Sequence, residues 1–229
     1  MNISVTYVGS DYQSGGTNCI GVTYADSHNI APGESWTFPS TAIPDKCYAS
    51  ATITASGNVI GQVNESFTTD YLNSTGRVQE STIYSTIPLI HATSKISLPL
   101  FKEDSYSKAT GATIQNIGGQ DTNVTLTFKG VAGTFVSQPQ LIHPGQGLII
   151  LDVRLKPANF WNGTAMTPQL LGCVNDNAGC GANGVFSVMI DSNWQNIVAV
   201  VNESTYPINA PRIQQDKGAY EGINLTTIR

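Results

Sequence analysis

The strongest constraint on the fold is an internal repeat, because the same short phrases occur twice and in the same order. QVNES at Gln62–Ser66 returns as VVNES at Val200–Ser204, within a longer match between the segments Cys47–Ser66 and Val185–Ser204. Each longer segment contains a turn phrase, SGN or NWQN, that is typical of a hairpin. We therefore expect two copies of one supersecondary pattern.

Two further pairs of phrases precede these hairpins. NISVTYVG at Asn2–Gly9 matches NVTLTFKG at Asn123–Gly130, and both alternate apolar and polar residues as a half-buried strand does. IAPGESWTF at Ile30–Phe38 matches IHPGQGLII at Ile142–Ile150, where Pro-Gly predicts a turn before a strand. With Ser and Thr abundant and helix formers scarce, the sequence predicts an all-β fold.

The three pairs are offset by 121, 112 and 138 positions, and the differences place insertions around residues 9–29 and 156–184. Each insertion contains cysteine. We expect two disulfides, Cys19 with Cys47 and Cys173 with Cys180, because a bridge stabilises a long loop that has few contacts of its own. Free buried thiols and a metal site are the alternatives, although the sequence contains no Cys-x-x-Cys pair.

The repeat divides the chain into a first module at residues 1–92 and a second at 93–229, which carries the insertion 156–184. The second module has a further predicted strand at Thr110–Asn116 for which the first has no counterpart. The C-terminal phrase Gly218–Arg229 has no obvious partner in its own module. Either the ends are trimmed, or a neighbouring subunit supplies a strand by β-addition.

Between the modules, Phe67–Glu80 is polar and rich in turn residues, so we interpret it as a linker. Ser81–Phe101 contains two Ile/Leu-Pro phrases, which are typical of an edge strand or a stiff extended connector. The phrase TPQLLG at Thr167–Gly172 predicts a single helical turn. The apolar runs Leu148–Leu151 and Ile197–Val201 have the length of buried strands.

Charge and hydropathy exclude two classes of partner. The net charge is −5, charged residues make up 12% of the chain, and there is no Lys/Arg-rich run of the kind that binds nucleic acid. No apolar run approaches the roughly 20 residues that span a bilayer as a helix. We therefore expect no nucleic-acid partner and no membrane span in this chain.

Seven Asn-x-Ser/Thr sequons are candidates for glycosylation. They are compatible either with a glycan-coated extracellular surface or with chance in a Thr-rich β protein. They begin at Asn2, Asn64, Asn73, Asn123, Asn162, Asn202 and Asn224.

The sequence offers little catalytic chemistry, and we expect neither an enzyme nor a cofactor. It contains no nucleophile-elbow, zincin or P-loop motif. Asp176 lies between two asparagines and is a weak candidate for a calcium site, because it is a single carboxylate and Ca²⁺ prefers several. Glu103 and Asp104 are interpreted as solvated turn residues.

The tryptophans divide into two groups. Trp36 follows a Pro-Gly turn on a predicted strand, where core packing is expected. Trp161 and Trp194 lie in the insertion and in a hairpin turn, where they either pack locally or bind sugars or another subunit.

The order LPLFK, TGATIQNIGGQDTNVTLTF, PGQ and VVNES resembles the tandem Ig-like or fibronectin-like repeats of secreted prokaryotic cell-surface proteins. The matching positions are Ile114–Gly118, Asn123–Phe128, Pro144–Gln146 and Val200–Glu203 in the second module, and Asn2–Tyr7, Pro32–Glu34 and Val63–Glu65 in the first. The resemblance implies two tandem Ig-like antiparallel β-sandwiches of an architectural protein and supplies no catalytic residues.

From these features we expect a non-enzymatic structural subunit of an extracellular, cell-surface assembly such as a filament, stalk or layer. It would associate with itself as a homopolymer, with strand exchange through its termini as one means of joining. An adhesin or carbohydrate-binding module that uses the insertion and Trp161 is the alternative.

Overall fold

A computed structural model shows an all-β chain of antiparallel sheets, with no helix of seven or more residues in the described part. The structure describes residues 1–10, 19–39, 43–44, 47–73, 76–105, 108–151, 153–173, 179–205 and 218–225. In these ranges it describes only the backbone of residues 65–73, 76–82, 204–205, 218, 221 and 224. Within this part of the chain, no helix has the length and apolar character needed to cross a membrane.

The described residues contain fifteen strands, which are numbered in chain order. They are β1 Asn2–Gly9, β2 Thr23–Asn29, β3 Ala49–Ala55, β4 Gln62–Asn73, β5 Gly76–Ser85, β6 Lys95–Lys102, β7 Lys108–Asn116, β8 Thr122–Gly130, β9 Gly133–Val136, β10 Gln140–Ile142, β11 Gly147–Ile150, β12 Val185–Ser192, β13 Ile197–Thr205, β14 Gly218–Glu221 and β15 Ile223–Asn224. Single 3-10 turns cover Leu89–His91, Val153–Leu155, Ala158–Phe160 and Gly181–Gly184.

The strands form four groups. A three-stranded N-terminal sheet has the order β2-β1-β3, and the β4–β5 hairpin is a separate two-stranded ribbon. A six-stranded sheet has the order β10-β8-β12-β6-β15 with β9 beside β8, and a four-stranded sheet has the order β11-β7-β13-β14. The last two sheets share one core and are called the sandwich below.

The sandwich core follows from alternation along its strands. In β8, Val124, Leu126 and Phe128 are buried while the residues next to them are half-buried or exposed, as the two-residue period of a strand requires. Edge-to-face aromatic contacts join Phe128 to Phe101 and to Phe186. Among the described residues, the connected hydrophobic core extends from residue 96 to residue 201, so most of the packing energy belongs to the sandwich.

The expected linkers are strands instead. Of the segment Phe67–Glu80, the described residues 67–73 and 76–80 belong to β4 and β5. The segment Ser81–Phe101 begins with the end of β5 and ends in β6. β6 lies between β12 and β15 rather than at a sheet edge. Its Pro99 lies opposite a shift in the β6–β12 register, so its lack of an N–H is tolerated at a bulge.

The C-terminal phrase also has partners in the sandwich, contrary to expectation. β14 pairs with β13, and Tyr220 donates its hydroxyl hydrogen to the carbonyl of Leu100. β15 then crosses to the other sheet and pairs with β6. Strand exchange through residues 218–225 would therefore require breaking these pairings.

The N-terminal sheet is attached to the sandwich at the turn between β10 and β11. The Ser50 hydroxyl donates to the carbonyl of Gly145 at 2.5 Å, and Gln115 Nε2 donates to Thr52 Oγ1 at 3.1 Å. A Cβ on Gly147 would lie 3.1 Å from the hydroxyl oxygen of Ser10, so glycine permits the close approach. These contacts hold β3 against the edge of the sandwich.

Candidate interaction surface

The N-terminal sheet repeats the strand pairing of the sandwich. Ile3 of β1 lies opposite His28 of β2, and Val124 of β8 lies opposite Gln140 of β10. These two pairs are related by the sequence offsets of 121 and 112 positions. The repeat therefore preserves the register between the first strand and the strand that precedes the Pro-Gly turn.

The pairing of β1 with β3 repeats that of β8 with β12, but with the repeat offset shortened by one residue. Val5 of β1 lies opposite Ile53 of β3, and Leu126 of β8 lies opposite Ile190 of β12. The offset of 138 aligned Ile53 with Asp191, one position too far. A one-residue shift moves a side chain to the other face of a strand, so the isoleucines correspond, not Ile53 and Asp191.

The two strands that contain the VNES phrase, β4 and β13, are each followed by an antiparallel partner strand in the same register. Val63 of β4 lies opposite Tyr84 of β5, and Val201 of β13 lies opposite Tyr220 of β14. The sequence comparison did not include these tyrosines, because the phrases around them differ. A Tyr placed opposite the Val of a repeated VNE phrase was the signal that could have revealed the pairing.

The two copies differ in how well their apolar side chains are covered. Ile53 is 36% exposed, whereas the corresponding Ile190 is 0% exposed. Trp36 is 48% exposed, whereas Leu148, at the corresponding place after the second Pro-Gly turn, is 6% exposed. The expectation that Trp36 packs in a core is therefore wrong. The N-terminal sheet keeps apolar surface exposed where the sandwich buries it.

The strand that buries these positions in the sandwich, β7, has no described equivalent in the N-terminal half. In the sandwich, β7 lies between β11 and β13 and pairs with both. In the N-terminal half, residues 35–38 correspond to β11 but form no strand. β4 corresponds to β13, and within the described residues it pairs along one edge only, with β5. No described strand occupies the place that corresponds to β7.

Aromatic side chains lie along the inner face of the N-terminal sheet, the face that bears Ile3, Val5 and Tyr7. The Trp36 ring stacks on the His28 ring with centroids 3.4 Å apart and planes 7° from parallel. Burial raises the pKa of the Tyr7 hydroxyl, and the charge of Asp26 raises it further. This face is therefore partly shielded from water, although Trp36 is itself 48% exposed.

Both expected disulfides are present. Cys19 bonds to Cys47 and Cys173 bonds to Cys180, so the alternatives of free thiols and cysteine metal ligands are excluded for these residues. A Cβ on Gly9 would overlap the carbonyl of Cys19, which shows how closely the first bridged loop approaches β1. Disulfides are typical of proteins that leave the reducing cytosol.

Trp161 and Trp194 have different environments. Trp161 is 2% exposed and makes edge-to-face contacts with Phe128, Phe135 and Phe160, so of its two alternatives the structure shows local packing. It lies within the aromatic core. Trp194 is 77% exposed in the turn between β12 and β13, where it is accessible to a partner.

The sequons differ in accessibility. Asn2, Asn64 and Asn162 are exposed, whereas Asn123 and Asn202 are half-buried. The side chains of Asn73 and Asn224 lie outside the described set. The exposed asparagines are the better acceptors, because a bulky glycan requires a side-chain amide that solvent can reach.

A buried ionic cluster anchors the insertion, and the sequence interpretation missed it. Glu103 and Asp104 are buried, not solvated. The Arg154 guanidinium donates to Asp104 Oδ2 at 2.8 Å, while the Val153 N–H donates to Glu103 Oε2 at 3.0 Å. The Cys180 N–H donates to the Asp104 carbonyl at 2.6 Å. The cluster joins β6 to the bridged loop.

The described residues contain no group of three or more His, Cys, Asp or Glu that could hold a metal ion. Asp176, the candidate calcium ligand, lies outside the residues that the structure describes.

No protein-family model matches the chain, and no curated protein matches it. The crystal structure of Thermotoga maritima 1070 is similar over 56% of this chain and 90% of that chain, with 13% sequence identity and a TM-score of 0.36. A likeness at this TM-score carries no argument about the fold or the function of the chain.

Proposed function

We propose that the chain is a non-enzymatic structural subunit of an extracellular assembly, such as a surface filament, stalk or layer. One observation carries the proposal: the N-terminal sheet repeats the strand pairing of the sandwich but leaves Ile53 and Trp36 exposed. Exposed apolar surface and an unpaired strand edge, such as that of β4 among the described strands, each favour association with another polypeptide.

In this proposal, residues 1–92 and 93–229 are two Ig-like modules of one repeated design. The two disulfides support a location outside the cytosol, and the exposed sequons at Asn2, Asn64 and Asn162 support a surface that carries glycans. In this proposal the chain is its own partner, because a head-to-tail contact that does not close into a ring builds an open polymer.

Negative-stain electron microscopy of the purified chain tests the proposal. We expect long particles or sheets that form without any added ligand. Single round particles of uniform size over a wide range of protein concentration would contradict a structural assembly.

A second function is favoured by Trp194 alone. An exposed tryptophan in a turn can stack on a sugar ring, so the chain could instead be an adhesin or a carbohydrate-binding module. A carbohydrate array separates the two functions. A binder is retained on defined glycans and loses retention with Trp194→Ala, whereas a structural subunit is not retained.

A further inference from the structure

We propose that the N-terminal half accepts one added β-strand from another polypeptide. By equivalence with Leu148, Ile190 and β13 of the sandwich, we group Trp36, Ile53 and the open edge of β4 as the strand-accepting surface. This inference rests on the proposed function and deepens it, since strand addition joins two polypeptides through main-chain hydrogen bonds. The occupant is an extended strand with the alternating pattern of β7.

The sandwich shows what covers such a surface. β7 pairs on one side with β11, where Ile114 lies opposite Leu148, and on the other side with β13, where Ala112 lies opposite Val201. All four of these side chains are buried. The repeat therefore contains one complete copy of the arrangement and one copy in which the central strand is absent from the described residues.

The repeat also fixes the register of the added strand. Trp36 corresponds to Leu148, so the position equivalent to Ile114 would lie beside Trp36. Val63 corresponds to Val201, so the position equivalent to Ala112 would lie beside Val63. The added strand would run antiparallel to β4, as β7 runs antiparallel to β13.

The described strands of the same chain do not supply this element. β7 is paired along both edges, and β14 and β15 are paired with β13 and β6. The connection from β7 to β8 spans only residues 117–121, so β7 cannot move to the N-terminal sheet without unfolding the sandwich. The strand therefore comes from outside the described fold of one copy.

The pattern of β7 defines the chemistry of the occupant. Its inward residues are small or branched, namely Thr110, Ala112, Ile114 and Asn116, and they are buried, while the residues between them are half-buried. A matching strand carries small or branched side chains at alternate positions and no proline where it bonds to β4. A lysine at the position of Ile114 would put a charge against apolar surface.

A peptide with the sequence of β7, KATGATIQN, tests the inference with the complete chain. We expect saturable one-to-one binding by fluorescence anisotropy, together with slower amide hydrogen exchange in β4. A peptide with the I114K change should bind at least tenfold more weakly. On the chain, Ile53→Lys should weaken binding at least tenfold.

Thr54→Lys is the matched control. Thr54 is the next residue along β3 and lies on the opposite face, where its hydroxyl lies 2.6 Å from that of Ser4. Both changes put a lysine at an exposed position of β3, but only Ile53 belongs to the strand-accepting surface. We expect Thr54→Lys to leave peptide binding unchanged.

A fusion keeps the test decisive if a short peptide binds too weakly to detect. Residues 108–121 placed directly before Met1 reproduce the spacing from β7 to β8, because the first-strand offset is 121. The fused strand has a high effective concentration. We expect a higher melting temperature and slower exchange in β4, and neither effect when the fused segment carries I114K.

The outcomes separate this inference from the proposed function. Self-association that Ile53→Lys abolishes and Thr54→Lys preserves supports the inference and identifies a second copy as the source of the strand. Long particles with no response to peptide or fusion overturn the inference and leave the structural role standing. Peptide binding without self-assembly supports the strand-accepting surface and contradicts the structural role.

Discussion

Ile53 lies directly opposite Val5 across β3 and β1, in the register in which Ile190 lies opposite Leu126 across β12 and β8. The repeat thus places two isoleucines at the same position of the same sheet pattern. One is at the protein surface and the other is in the core. This contrast allows a comparison of one substitution at two equivalent sites.

Truncation at these two sites should have unequal effects. Ile190→Ala removes buried methyl groups and should lower the free energy of unfolding by about 2–4 kcal/mol, whereas Ile53→Ala should lower it by less than about 1 kcal/mol. Urea denaturation followed by circular dichroism measures both. Equal losses would show that Ile53 is covered in the isolated chain.

Glu203 makes stability dependent on pH. Partial burial by itself raises the pKa of the Glu203 carboxyl. The hydrogen bonds and positive charges of Lys102 and Lys108, whose Nζ atoms lie 2.6 and 2.8 Å from the carboxylate oxygens, outweigh this effect and lower the pKa below its ordinary value of 4.5. The folded state therefore binds this proton less readily than the unfolded state. The stabilisation is complete above about pH 4.5 and is lost as the pH falls through the folded pKa.

Glu203→Gln should therefore lower stability at pH 7 and make stability fall less between pH 6 and pH 3. Asp191→Asn is the control, because Asp191 and Lys95 form an exposed ion pair at 2.6 Å that should contribute less than about 0.5 kcal/mol. Urea midpoints across this pH range give the comparison. Parallel curves for the wild type and Glu203→Gln would refute the prediction.

The two disulfides should differ in strength because their loops differ in length. The bridges join residues separated by 28 and 7 positions, for which loop-closure entropy gives about 3.5 and about 2.5 kcal/mol. Replacing Cys19 and Cys47 by alanine should therefore destabilise the chain more than replacing Cys173 and Cys180. The comparison needs denaturant unfolding of both double variants, and the reverse order would count against the loop-length argument.

Trp161 and Trp194 should respond differently to truncation. Trp161→Ala opens a cavity among aromatic rings and should lower the free energy of unfolding by about 3–5 kcal/mol. Trp194→Ala changes an exposed side chain and should alter it by less than about 0.5 kcal/mol. Thermal unfolding distinguishes them, and a small effect of Trp161→Ala would show that its burial contributes little to stability.

Local patterns in the sequence predicted much of the fold. Alternation correctly indicated β1 and β8, the phrase TGATIQN correctly indicated β7, and the apolar runs correctly indicated β11 and β13. The Pro-Gly turn at Pro144-Gly145 is followed by a strand as expected, whereas the strand expected after Pro32-Gly33 does not form in residues 35–38. The cysteine spacing correctly predicted both bridges. The predicted helical turn at Thr167–Gly172 is present as a hydrogen bond from the Leu171 N–H to the Thr167 carbonyl. These features are determined by residues close together in the sequence, so local patterns are enough to predict them.

The errors concern features that depend on distant parts of the chain. The partners of β14 and β15 lie far away in sequence, so no local pattern showed them. The β4–β5 hairpin lacks the apolar alternation of a core strand and resembled a linker. Glu103 looked solvated because its partners lie 50 positions away around Arg154. The burial of Trp161, which the sequence left undecided, likewise requires the rings of other strands.

Hydrogen exchange in β4 and β13 tests the central claim most directly, namely that the repeat contains one complete and one open copy. β13 has a partner strand on each side, whereas β4 has β5 alone. In a dilute, unassembled sample, we predict protection of successive amides in β13 and of only alternate amides in β4, because every second N–H of an edge strand points away from its partner. Protection of successive amides along β4 would contradict the open copy and the proposals that rest on it.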